Sequence, residues 1–176
     1  MRLSKREQIA AVAAIIRDAG GKIVGRTRLQ KIAYLLDVAG FGDGFYFVYK
    51  HYGPYSEVVA EAARVGALFG DLTEEECQAE WGGYYSIYAV KDAPDDAVPA
   101  ERRELARQAA RAGAVVLELA ATAVFLSLSR DGYDDPWAEV KRRKPIKSSG
   151  GRLDQAKELL RELKKVEVPS PLPDIV

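Results

Sequence analysis

"FYFVYKHYGPYSEVVAEA", residues 45–62, changes character at its middle. Its first residues are aromatic or β-branched, the composition of a strand over 45–50. Its last ones place Val58, Val59 and Ala62 at helical spacing and predict a helix over 54–69, ended by Gly70. Gly53-Pro54 divides the two. Proline suits the first turn of a helix, where its missing N–H has no partner to lose. His51, the only histidine in the chain, sits at this corner. General-base work requires an orienting carboxylate and an activated nucleophile. No Gly-x-Ser-x-Gly or comparable nucleophile motif accompanies it, so His51 reads as a structural residue at a strand end.

Working toward the N-terminus, residues 28–39 read as a helix capped by Thr27 and closed by Gly40. Its apolar face is Leu29, Ile32, Ala33, Leu35, Leu36 and Ala39, which puts Arg28 and Lys31 on the exposed side. Residues 5–19 read as an amphipathic helix carrying Ile9, Val12, Ile15 and Ile16. Ser4 and Glu7 have capping-box spacing at its start, and Gly20-Gly21 stops it. Between these helices lies the short apolar stretch Ile23-Val24.

Toward the C-terminus, residues 73–90 read as a hairpin in which Trp81 and Tyr84 flank Gly82-Gly83. Tyr84, Ser86, Tyr88 and Val90 fall on one face, Tyr85, Ile87 and Ala89 on the other. A polar connector over 91–100 leads into a long helix over 101–129. Its second half is almost wholly apolar and needs protein on most sides. Asp134 or Asp135 caps a short helix opened by Pro136, a last amphipathic helix covers 152–165, and the proline-rich tail 169–176 is extended.

These elements predict a mainly α (α+β) fold. A winged-helix-like core of three helices and a short β-hairpin spans 1–90, and helices over 100–166 pack on it. Residues 1–168 then form a single domain. The alternative is a looser α+β domain in which the two tyrosine-rich strands pair.

Composition narrows the chemistry. The formal net charge is zero, so nucleic-acid binding would need a local basic patch. One cysteine and one histidine make neither a disulfide framework nor a His/Cys metal centre, and no cofactor is expected. Cys77 lies among glutamates, which disfavour its thiolate. "GGKIVG" and "GFGDG" lack phosphate-loop spacing. The N-terminus does not read as a signal peptide, and the apolar run 112–128 is interrupted by Glu118. The expectation is a soluble cytoplasmic protein with no membrane partner.

Two surfaces remain as candidates. "KRRKPIK" gathers Lys141, Arg142, Arg143, Lys144 and Lys147. It is either a solvated surface balanced by Asp131, Asp134, Asp135 and Glu139, or a patch for nucleic acid or an acidic partner. A winged helix invites a DNA-binding reading, yet helix 54–69 offers Glu57, Glu61 and only Arg64. A metal-dependent hydrolase or nuclease would need convergent acids, whereas Glu74, Glu75 and Glu76 alternate faces on a strand. The tyrosines clustered at 46–55 and 84–88 suit a protein-contact surface, centred on Arg28, Lys31, Tyr52, Pro54 and Tyr55.

"RLQKIAYLLDVAG" (28–40) followed by Gly53-Pro54 resembles the Panacea family, the SocA-like domain of antitoxins in bacterial toxin–antitoxin systems, and the related YwgA-like proteins. Leu29-Gln30-Lys31-Ile32-Ala33-Tyr34 matches the family's "LQKLLYF" helix, and "FLSLSRDGYDDPWAEVKRRKP" is similar to its C-terminal helix and following loop. The likeness spans residues 5–165. Many family members have a tryptophan in the strand–corner region, where this chain has Tyr52 and Tyr55. The resemblance implies a non-catalytic protein-interaction domain that neutralises a cognate toxin by direct binding or acts as a proteolytic adaptor, with a protease as second partner. It provides no catalytic residues.

Overall fold

A computed structural model describes residues 2–176. Helix accounts for 53% of the chain and strand for 12%, so the fold is mainly helical with a small antiparallel sheet. The elements run α1 (Lys5–Asp18), β1 (Lys22–Val24), α2 (Arg26–Leu36), β2 (Val48–Lys50), β3 (Gly53–Tyr55), α3 (Glu57–Phe69), β4 (Thr73–Gln78) and β5 (Tyr84–Ala89). Then follow α4 (Ala100–Arg111), α5 (Ala114–Ser127), α6 (Pro136–Arg143), α7 (Pro145–Ser148) and α8 (Arg152–Leu163). β5 is the middle strand of a three-stranded sheet ordered β1–β5–β4, while β2 and β3 form a separate two-stranded ribbon. Among the described residues no helix is long and apolar enough to cross a membrane.

The capping box at Ser4 and Glu7 forms, and Asp135 caps α6 with Pro136 in its first turn. α2 departs from its predicted amphipathicity. Every residue from Leu29 to Leu36 is buried, because α1, α3, α4, α5 and the strands surround the helix. Thr27 does not cap it; the helix starts after Gly25 and ends in a wide turn, Asp37–Phe41, with Gly40 left-handed.

The corner also differs. Pro54 lies in β3 opposite Tyr49, not in the first turn of a helix. A two-stranded ribbon consists of edges, where a residue without an N–H costs no ladder bond. α3 begins after Ser56, whose hydroxyl accepts from the Val59 amide. The long helix predicted over 101–129 is two. Ala112 and Gly113 are extended between α4 and α5, and the Ala112 carbonyl freed by that break accepts from Arg28.

α5 is wrapped by α2, α6, α8 and β3, as its apolar sequence requires. The tail does not extend away as an arm for a partner. The Ser170 amide donates to the Ala39 carbonyl, Leu172 is buried, and the Trp137 indole donates to the Ile175 carbonyl.

Candidate protein-binding groove

The corner at residues 51–56 is held from beneath by side chains hydrogen-bonded to its backbone. Gln30 pairs with Ser56 in both directions: its amide nitrogen donates to the Ser56 carbonyl at 2.9 Å, and its oxygen accepts from the Ser56 amide at 2.8 Å. One residue on, the Lys31 ammonium donates to the Pro54 carbonyl at 2.8 Å. Lys144 donates to the His51 carbonyl at 2.8 Å. His51 thus contributes its backbone, and its own side chain is exposed. Gly53, at φ +87°, lies against α5 so closely that a Cβ would collide with Thr122 Oγ1. A residue that needs a left-handed backbone and leaves no space above it must be glycine.

Below this corner is a buried charge cluster. Glu118, 3% exposed, accepts from Lys144 at 2.7 Å and from Lys147 at 2.8 and 2.9 Å. Lys31 is 1% exposed and has no carboxylate in contact among the described residues. Burial pushes its amine down to about 7; Glu118 opposes that shift, and Lys144 and Lys147 add to it.

Placing Lys31 on the exposed side was therefore incorrect. The helical pattern located the apolar face of α2, but this helix has no wet face on which to leave the remainder. Pro54 is likewise buried. Arg28 is half-buried, donating to the carbonyls of Val24 at 2.8 Å and Ala112 at 3.0 Å. Tyr52 is 58% exposed and Tyr55 partly so.

Arg28, Lys31, Tyr52 and Tyr55 line one groove of about 1170 Å³, together with Arg26, Arg64, Glu74, Glu76, Trp81 and Tyr84. One wall is the start of α2, a second is α3, and the β4–β5 hairpin forms the third. Trp81 and Tyr84 stand out at the hairpin tip, 79% and 59% exposed. The Trp81 ring lies across Gly83, where a Cβ would strike it. Tyr88 lines the groove as well but is almost wholly buried. Tyr34 packs near Phe47 and Phe125, and Tyr49 near Phe125, so this part of the aromatic excess is internal.

The basic run is not one patch. Arg142 and Arg143 both bind Glu139, and Arg143 also stacks over Tyr49. Lys144 is buried and, with Lys147, holds Glu118, while Lys147 also lies 4.5 Å from the Tyr52 ring centre. Lys141 alone of the five is an exposed cation without an acidic partner among the described residues. The run therefore fastens α6 and α7 to the ribbon and α5. On α3, Arg64 is occupied by Glu61 at 2.9 Å.

Among the described residues no group of three or more His, Cys, Asp or Glu side chains could hold a metal ion. Comparison with family models, with curated proteins and with solved structures gives no match.

The anchoring role of Gln30, Lys31 and Glu118 was not anticipated. A signal for it existed. A single acid in the apolar helix 114–127 needs a cation, and "KRRKPIK" offered a cluster of them.

Proposed function

We propose that this chain is a non-catalytic protein-interaction domain, antitoxin-like, that neutralises a cognate toxin by seating part of it in the groove. The observation that carries this reading is the groove itself, wide, concave and rimmed by the exposed rings of Tyr52, Trp81 and Tyr84. Large aromatic side chains with few rotatable bonds are the usual anchors of protein interfaces. The resemblance of the Leu29–Tyr34 segment and of Gly53-Pro54 to antitoxin domains points the same way. So does the use of these residues: Gln30 and Lys31 hold the corner, and the corner holds one side of the groove.

The core that presents the groove is winged-helix-like in our reading, on the strength of three helices and a sheet ordered β1–β5–β4. The DNA-binding alternative has less support, because α3 presents Glu57 and Glu61 and its Arg64 is paired.

The test is co-expression with the protein encoded next to it. The expected result is a stable complex and restored growth, with both weakened by Trp81→Ser and Tyr84→Ser. No complex and no rescue would sink the reading for that pair.

A further inference from the structure

The groove is not evenly charged. Near its mouth the cations are matched within the chain: Arg26 with Glu74 and Glu76 at 3.6 and 3.3 Å, and Arg64 with Glu61. On its inner wall they are not. Arg28 and Lys31, one helical turn apart on α2, bond only to backbone carbonyls. Behind them Glu118 is already engaged by Lys144 and Lys147, so the nearest buried carboxylate is not in contact with either Arg28 or Lys31. Carbonyl oxygens satisfy hydrogen bonds but do not neutralise charge, and an uncompensated charge away from water is costly.

Resting on the protein-binding reading above, we infer that the groove takes an extended segment of the partner protein that carries a carboxylate, an Asp or Glu side chain directed at Arg28 on the inner wall beside Lys31. A guanidinium suits this task, since its several N–H groups can serve carbonyls and a carboxylate at once and it keeps its charge at all working pH values. Arg28 uses Nε and Nη1 on carbonyls, which leaves Nη2 for the incoming acid. Tyr52 and Tyr84 flank the path with apolar area and a polar tip. A nucleic acid fits less well. Its repeated phosphates would meet Glu74 and Glu76 at the mouth before they reached Arg28, whereas a single carboxylate on a neutral segment passes them.

Random peptides displayed and selected on the immobilised full chain provide the probe, followed by anisotropy measurements on labelled synthetic copies. The expected outcome is selection of peptides with an Asp or Glu at a shared position. Replacing that acid by its amide weakens binding at least tenfold, and Arg28→Gln abolishes the preference for acid over amide. The amide replacement alters only the peptide, so it decides the matter even where Arg28→Gln loosens the fold through Val24 and Ala112. Three results would overturn the inference: no selected peptide, an acid-to-amide change of less than twofold, or an acid preference indifferent to Arg28→Gln. Salt-dependent binding of a DNA duplex that displaces the peptides would also overturn it, assigning the groove to phosphate. A toxin that binds in the groove with no need of an acid defeats this inference and leaves the antitoxin reading standing. Acid-dependent peptide binding with no neutralised neighbour does the reverse.

Discussion

Two buried groups of charges flank α2 and are unbalanced in opposite senses. On one side, Lys144 and Lys147 hold Glu118, and Lys31 lies within reach of its charge but not in contact with it. Just past the end of α2, Arg102 on α4 faces two acids, donating to Asp18 at 2.7 Å and to Asp43 at 3.2 Å, and to the Phe41 carbonyl at 2.8 Å. The second group lies away from the groove, and it leaves Asp18 Oδ1 buried without a hydrogen-bond partner among the described residues. Its one guanidinium ties α1, α4 and the turn after α2, and burial raises the Asp43 carboxyl while Arg102 pulls it back. The first group lies under a groove and has positive charge to spare. Charge left over in a packed joint is a cost of assembly; left over beside a groove, it can select what enters.

The most damaging way to break this comparison is Glu118→Ala. It strands Lys144 and Lys147 without a counter-charge, and urea unfolding should show a loss of about 3–5 kcal/mol. Arg102→Met should cost about 3 kcal/mol by the same measurement, near the lower end because partly exposed Asp43 can still turn to water. Gly53→Ala is expected to cost about 2 kcal/mol, from left-handed strain and the collision with Thr122.

Lys31 sharpens the comparison through pH. Its amine falls to about 7 in the folded chain from an ordinary 10.5. Below about pH 7 both folded and unfolded chains hold the proton, and the burial cost is fully present. Between about 7 and 10.5 only the unfolded chain holds it, so stability rises with pH. The wild type should gain at most about 1.4 kcal/mol per pH unit there relative to Lys31→Met, as read from paired urea titrations. A flat difference would mean that Lys31 is already compensated. The smallest effect belongs to the rim. Gly83→Ala should displace the Trp81 ring and shift its emission while stability changes by less than about 0.5 kcal/mol.

The positions of α1, α3, α6 and α8 and of the β4–β5 hairpin were legible because local rules govern them, whereas the break between α4 and α5 and the short α7 were not. Ser4 and Glu7 cap α1, Pro136 opens α6, and Val58 and Val59 mark α3. Gly53-Pro54 was recognised as a corner, but its partner was not, since the lock on Gly53 is Thr122, far along the chain. Lys31 was misplaced for a related reason. Periodicity presumes that a helix has one side in water, and α2 is enclosed. Lys144 and Lys147 were read with their sequence neighbours, whereas their carboxylate is Glu118, on another helix.

The reciprocal pair between Gln30 and Ser56 has a dynamic consequence. An amide side chain here stands in for a strand, so the Ser56 N–H is shielded by a helix residue rather than by a ladder. Its hydrogen exchange therefore reports when the ribbon lifts off α2, independently of when α3 unwinds. A Ser56 proton that exchanges far sooner than the α3 interior would reveal the corner as a hinge, opening on its own timescale to widen the groove.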